Sequence, residues 1–373
     1  MSMLLSKKTY CAVKILNQLS LKMNINPLKA PENEASIMEH WKYTDKVYIS
    51  CVCITYNQEN YIKDAIDGML AQITDYRFEI VIHDDKSTDS TRGILLGYKQ
   101  KYPNLIKLVL QDENQYQKGK KITPLAVAEA IGEYIALCEG DDYWIDNKKL
   151  QKQLSSLYDK TDVGICFTSG YSIYDREHTL QNQANYGNIN KQFTLSEVLR
   201  GGGDFMPTPS IMVKRAIIQN LPNLYFAAPV GDYFLQILSS IKSGALYLHD
   251  PTIAYRINAM GSWNSNRKNI NKNLIFAEAE RYKKSLSALY DLGVQQDDIN
   301  FAIAKQYTIL AKLLLDQKNY KDSRKLLLDS SKYYINVNKL QTILLKTNIV
   351  LPLTRIALAL REKILNIFDK KLK

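Results

Sequence analysis

From residue 48 onward, short apolar runs alternate with stretches of helical periodicity. Residues 48–55, 78–83, 106–110 and 134–138 have the length and β-branched content of strands, while residues 60–71 and 88–101 have helical spacing. This alternation predicts an α/β fold, with βα units around a mostly parallel sheet flanked by helices. The polar stretch 111–123 carries Lys118, Gly119, Lys120 and Lys121 and is expected to be a long mobile loop. It leads into a predicted helix over 124–130, with Thr123 as cap and proline at the first helical position. Further on, the pattern predicts a helix over 146–158, a strand over 163–168 and a short helix opened by the capping box Thr194-Leu-Ser-Glu197. Strands over 210–213 and 245–248 follow, with a helix over 232–243 between them, and Gly201-Gly202-Gly203 reads as flexible punctuation.

The two ends differ from this middle. Residues 1–31 hold five lysines and no acid, with Ala12, Ile15, Leu16 and Leu19 on one helical stripe, which predicts a basic amphipathic helix. Pro27, Pro31 and the polar stretch to Asp45 read as a linker. From residue 271 glycine is nearly absent, and the chain is expected to form a C-terminal α-helical extension. Tyr307, Leu310, Ala311, Asn319, Tyr320, Leu326 and Tyr333 resemble a single tetratricopeptide-type helix pair, which cannot bury its own face and is expected to pack on the core. Leu353, Ile356, Leu360, Ile364 and Ile367 then line a second basic amphipathic helix.

The composition, 46% hydrophobic and 23% charged, is that of a globular protein. A net charge of +11 favours anionic partners without choosing among nucleotide diphosphates, lipid headgroups and nucleic acid. Cys11, Cys51, Cys53, Cys138 and Cys166 lack zinc or redox spacing and read as reduced core residues of a cytoplasmic protein. No apolar run reaches the ~18 residues of a membrane span, and the start lacks signal-peptide character, so membrane contact is expected to be peripheral.

Candidate chemistry gathers at predicted strand ends. Asp141 and Asp142 follow an apolar strand in Gly132-Glu-Tyr-Ile-Ala-Leu-Cys-Glu-Gly-Asp-Asp-Tyr-Trp144, at the sheet edge where α/β proteins bind ligands. Such carboxylates can hold a hard divalent ion through oxygen, with positions left for phosphate and water; a solvated surface turn is the alternative. Gly140 is expected to let the backbone turn sharply, and Trp144 to wall off water. The first strand ends in Thr55-Tyr56-Asn57 and the second in Asp84-Asp85-Lys86. Asp85 could accept a pyrimidine N–H while Tyr56 lies against the base, with Thr88 or Asp89 capping the next helix. His40, His83, His178 and His249 form no metal-ligand spacing, and His83 reads as a core histidine.

In combination and order, Ile54-Thr-Tyr-Asn57, Asp84-Asp-Lys-Ser-Thr-Asp89, Gly132-Glu-Tyr-Ile135 and Glu139-Gly-Asp-Asp-Tyr-Trp144 resemble the family 2 glycosyltransferases with the GT-A fold, over roughly residues 47–265. The resemblance implies an inverting transferase of bacterial surface-polysaccharide type that uses a nucleoside diphosphate sugar, commonly UDP-linked, with Mn²⁺ or Mg²⁺. Together with the two ends read from periodicity, it divides the chain into an N-terminal helix and linker (1–46), a nucleotide-sugar half (47–150), an acceptor half (151–268) and a helical extension (269–373). It maps the nucleotide onto Thr55, Tyr56 and Asp85, the metal onto Asp142 with Asp141 beside ribose or sugar, and the catalytic base onto Asp232 in Gly231-Asp-Tyr-Phe234.

A helix N-terminus would keep Asp232 ionised. Arg256, in Tyr255-Arg-Ile-Asn-Ala-Met-Gly-Ser-Trp-Asn264, is a candidate diphosphate clamp, although Asn258 stands where the family usually has histidine. The Lys118–Lys121 loop is a candidate phosphate cover. The expected acceptor is a glycan or lipid-linked hydroxyl at the inner face of an anionic membrane, with no nucleic acid partner. A nucleotidyltransferase acting on sugar phosphates is one alternative, though it would be expected to carry a glycine-rich loop after the first strand, where this chain has Thr55-Tyr-Asn-Gln-Glu59. A non-enzymatic basic nucleic-acid-binding or scaffold protein is the other.

Overall fold

The computed structural model describes residues 25–174, 180–260, 267, 270–347, 352 and 355. The predicted basic helix at the N-terminus, the Leu353 to Ile367 stripe and the segment from Gly261 to Asn264 lie outside the described residues.

The strands are β1 (Ile49–Thr55), β2 (Phe78–Asp84), β3 (Ile106–Leu110), β4 (Tyr134–Glu139), β5 (Tyr143–Trp144), β6 (Ile165–Tyr174), β7 (Leu180–Gln183), β8 (Lys191–Phe193), β9 (Met212–Lys214) and β10 (Ala245–Ile257). They join one sheet in the order β3-β2-β1-β4-β9-β6-β10-β5, with β7 on β6 and β8 on β10. β1 pairs in parallel with β2 and with β4, so the chain order reverses there and opens a crevice at the strands' carboxyl ends. β9 runs antiparallel to both β4 and β6, which makes the sheet mixed.

The principal helices are α1 (Ile62–Leu70), α2 (Thr91–Lys101), α3 (Ile122–Val127), α4 (Lys149–Tyr158), α5 (Leu195–Gly201), α6 (Asp232–Ser240), α7 (Lys272–Ser287), α8 (Gln296–Asp316), α9 (Tyr320–Tyr333) and α10 (Lys339–Lys346). Alternation along β1 explains the two layers: Ile49, Cys51 and Cys53 pack on one face with Ile62 of α1, Leu95 of α2 and Leu154 of α4. Val52 points to the other face, into a core that also takes Phe234 of α6, Tyr282 of α7, Leu310 of α8 and Leu326 of α9. Both faces are covered, so β1 reads as a nearly unbroken apolar run. The C-terminal helices thus share one core with the sheet. Arg200 of α5 reinforces that contact with ion pairs to Asp297 and Asp298 (2.6 Å to the latter) at the start of α8.

Several expectations shift. α3 begins two residues early, so Thr123 lies inside it, and Lys121 occupies the cap position without a capping side chain. α2 starts at Thr91 rather than 88, with Asp89 accepting from the Thr91 N–H at 3.0 Å. α6 ends at Ser240. β10 continues nine residues past the predicted end, through register shifts around Pro251 that let the strand carry a proline and a polar pair and still pair with β6. The supposed linker is docked: Ile37 is buried, the Ile25 carbonyl accepts from Tyr143 Oη at 2.8 Å, and the Pro31 carbonyl accepts from Tyr102 Oη. The loop 111–123 is tied down as well, as described next. Cys51, Cys53, Cys138 and Cys166 are buried free thiols.

Candidate active site

Register sets the site. Thr55 lies beside Asp84, and Ile54 beside Glu139, so the tips of β2, β1 and β4 form one rim. Asn57 and Lys86, immediately beyond their strands, adopt left-handed backbone with φ of 53° and 65°. These turns lace the two tips together: Asn57 N donates to Ser87 Oγ (2.9 Å), and Thr88 N donates to Asn57 Oδ1 (2.7 Å). The adjacent aspartates at the β2 tip have separate tasks. Asp84 is buried and pairs with Arg92 of α2 at 2.9 Å. Asp85, also buried, accepts from the backbone N–H groups of Gln115 (2.7 Å) and Tyr116 (3.0 Å), so its carboxylate anchors the loop once expected to be mobile. Tyr56 is exposed beside it, and Thr55 Oγ1 donates to Gln58 Oε1 at 2.8 Å.

At the β4 tip, Gly140 serves close approach rather than a left-handed turn. A Cβ there would sit 2.3 Å from Gln58 Oε1 and 2.8 Å from Thr55 Oγ1. Gly132, at the other end of β4, is required for the same reason, since its Cβ would meet Ser50 N at 2.5 Å. Asp142 is buried; its Oδ1 accepts from Arg256 N at 2.7 Å, and its Oδ2 has no partner among the described residues. Trp144 is wholly buried beneath this turn and donates from Nε1 to the Pro209 carbonyl at 2.9 Å, so it supports the acidic turn from below.

Glu139, Asp141, Asp142 and Asp232 share an electrostatic neighbourhood. Burial, then the charges of Asp141 and Asp232, push Glu139 up to about 8. Burial also raises Asp141, and raises Asp142 well above the carboxylate range, where Asp141 and Glu139 add to the effect. Asp232 opens α6 as expected, and its Oδ1 accepts from Tyr233 N at 2.7 Å. Its side chain reaches the surface of the crevice, yet surrounding protein thins its hydration and raises its pKa; Asp204 adds to this, against the Tyr233 N–H and Lys121. The helix N-terminus therefore does not dominate, because desolvation and a like charge outweigh it.

Arg256 is nearly buried and already engaged. Its guanidinium donates to Asp64 (2.5 Å) and to the Asp141 carbonyl (2.8 Å), and lies over the rings of Tyr61 and Tyr143 at 5.0 and 4.5 Å. In this arrangement it braces the Asp141–Asp142 turn. Lys118 pairs with Glu113, Lys120 is exposed, and Lys121 reaches away to the Ala228 carbonyl at 2.8 Å. His83 is buried in β2, in hydrogen-bond contact with Gln111 at 3.0 Å. Asn258 takes a left-handed φ of 61°, a conformation asparagine tolerates.

Sequence reasoning missed Asp64, Asp204 and Arg281 near the site. Asp64 and Arg281 sit within helical patterns, and Asp204 directly follows a glycine run. Glu139 shares its motif with Asp141, but its proximity to Asp232 appears only in three dimensions.

Comparison with known proteins agrees with this geometry. Residues 50–221 match the model of glycosyl transferase family 2. An uncharacterized protein of Mycobacterium tuberculosis is 33% identical over 218 residues, 58% of this chain and 61% of that protein. The chain thus spans about three fifths of the length of such relatives. A putative teichuronic acid biosynthesis glycosyltransferase of Bacillus subtilis, TuaG, is 34% identical over 143 residues, 38% of this chain and 52% of its own. Among solved structures, residues 1–349 of Staphylococcus aureus TarS, in complex with UDP-GlcNAc, superpose with a TM-score of 0.55 at 17% identity, covering 83% of this chain and 89% of that one. The shared mixed sheet with flanking and C-terminal helices is the GT-A fold. Over residues 50–221 the chain is thus similar to glycosyl transferase family 2, on a sheet and helices of GT-A type.

Proposed function

We propose that the protein is an inverting glycosyltransferase that moves a sugar from a nucleoside diphosphate sugar to a hydroxyl of a glycan or lipid-linked acceptor. One observation carries the reading: Asp142 Oδ2 is buried without a partner among the described residues, at the switch point of the sheet, beside Asp141 and Glu139, the latter in turn near Asp232. A buried carboxylate oxygen without a partner is costly, and a hard cation is a suitable partner for it. No three His, Cys, Asp or Glu side chains among the described residues form a ready metal cage. A cation at Asp142 would therefore complete its shell with donor phosphate oxygens and water. Bound there, Mn²⁺ or Mg²⁺ would neutralise charge on the departing diphosphate.

The remaining roles fall to the chain itself. Thr55 and Tyr56 line the nucleotide side, and Asp85 joins them when the Gln115–Tyr116 turn yields its carboxylate to the base; uracil, with its ring N–H, suits that acceptor. Asp141 faces ribose or sugar. Asp232, across the crevice, takes the proton from the acceptor hydroxyl as its oxygen attacks C1 opposite the diphosphate. Its raised pKa makes it a stronger proton acceptor than a solvated aspartate. Arg256 holds the acidic turn in shape, and its phosphate contact would require release from Asp64. Similarity to TuaG supports an acceptor in surface-polysaccharide synthesis, reached from the cytoplasmic side; among the described residues no helix is long and apolar enough to cross a membrane. The basic ends would rest on anionic lipid, and retention of the full chain in solution during flotation with anionic vesicles would refute that.

The test is thermal stabilisation by nucleotide sugars with and without Mn²⁺. One UDP-sugar is expected to raise the melting temperature only with metal, and Asp142→Ala to abolish that shift. A metal-independent shift, unchanged in Asp142→Ala, would contradict the assignment.

A further inference from the structure

Two cations outside the acidic cluster converge on a single backbone oxygen. Lys121 Nζ, at the start of α3, donates to the Ala228 carbonyl at 2.8 Å. Arg281 of α7 donates from Nη2 to the same carbonyl at 2.7 Å, and from Nε to the Ala227 carbonyl at 3.1 Å. Both positive groups are thus a hydrogen bond's length from one atom, four residues before Asp232. Among the described residues neither has a carboxylate at ion-pair distance. Like charges this close repel, and a neutral carbonyl offsets little of that. Burial and the charge of Arg281 lower Lys121 to about 8, and the nearby charge of Asp232 only partly opposes them. Arg281 is exposed, and Lys121 is partly so. Among the described residues Arg281 Nη1 has no partner and Lys121 keeps further N–H donors, so both can bind without losing the carbonyl.

The crevice is therefore electrically polarised. Glu139, Asp141, Asp142, Asp204 and Asp232 are close enough to act on one another's charge, while the cationic pair stands on the side of Asp232. A diphosphate accompanied by a cation is suited to the first region; a bare anionic group is repelled there and attracted to the second. Resting on the proposed transferase reading, we infer that Lys121 and Arg281 form an acceptor subsite for an anionic group, phosphate or carboxylate, carried near the hydroxyl that Asp232 deprotonates. The acceptor is accordingly an acidic molecule, and its charge fixes which hydroxyl meets the base. Arg281 lies beyond the residues matched by the family model, so the helical extension supplies substrate recognition that the transferase domain lacks.

The full chain, with and without saturating UDP and Mn²⁺, is titrated with glycerol phosphate, glycerate and glycerol, with binding read by ligand-observed NMR. Both anions are expected to bind and glycerol not to; the stronger of the two identifies the group. Arg281→Gln should weaken anion binding by about 10- to 100-fold, the range for a charge-assisted hydrogen bond, with Lys121→Gln acting similarly and Arg281→Lys restoring part of the loss. UDP affinity should stay within twofold in every variant, and melting temperatures should confirm folding. The inference is overturned if glycerol binds as well as the anions, if no anion binds, or if Arg281→Gln weakens UDP instead, which would make the pair a donor site. Failure of UDP to bind at all would count against the transferase reading alone, because anion binding without nucleotide still scores this subsite.

Discussion

Lys149 offers a quantitative test of how the acidic turn is supported. It is fully buried under that turn, with Nζ bonded to Gln153 Oε1 at 2.5 Å and 4.6 Å from the centre of the Trp144 ring. Burial lowers its pKa from 10.5 to about 8. The folded protein therefore binds this proton more weakly than the unfolded chain. Below about pH 8 both states are protonated, and the full penalty of holding a buried charge is present. As pH rises from about 8 to 10.5 the folded state releases its proton first, and stability rises.

For a shift of this size the gain between pH 7 and pH 10 is about 2.5 kcal/mol. Lys149→Met removes the titration while keeping the volume. At pH 7 it gives up a charge-assisted hydrogen bond and a desolvated cation–π contact, each worth about 2 kcal/mol, against about 3 kcal/mol of relieved burial. The two proteins should then differ little. At pH 10 the wild type should lead by about 2.5 kcal/mol more than at pH 7. Urea denaturation followed by tryptophan fluorescence at both pH values measures the difference between the two proteins, in which shared titrations cancel. A difference independent of pH would show that Lys149 is not held as a desolvated cation.

Asp232→Asn should keep metal-dependent nucleotide-sugar binding and lower kcat by about 10²- to 10⁴-fold, the usual contribution of a general base. In the wild type, transfer should fall on acidification through a pKa above the ordinary aspartate range, because desolvation raises Asp232; radiometric transfer assays over pH 5 to 8 measure this. Asp85→Asn replaces one acceptor oxygen by a donor facing a backbone N–H. It should destabilise the Gln115–Tyr116 turn by about 1–3 kcal/mol and make the 111–121 segment exchange hydrogen faster than β3, as read by mass spectrometry. Gly132→Ala should destabilise the whole domain by roughly 1–3 kcal/mol, the usual cost of overpacking, since its new methyl would meet the backbone of β1; a thermal melt checks this.

The βα alternation, both layers of the core and the strand-end position of Asp141 and Asp142 were legible in the chain, because apolar periodicity and strand length are local properties. So was the start of α6 at Asp232. Local reading failed where pairing is long-range: β10 runs through Pro251 because β6 accepts its bulges, and the linker before residue 45 is docked by Tyr102 and Tyr143. Loop 111–123 looked mobile because nothing in its own residues shows that Asp85, thirty positions earlier, holds its backbone.

By itself, the sequence determined the fold class and the acidic turn that marks the family. Only the tertiary structure decided which carboxylates feel one another, that Arg256 is engaged by Asp64, and that Lys121 and Arg281 meet at one carbonyl. Charge interactions and desolvation depend on distance and burial, and those arise only when segments far apart in the chain are packed together.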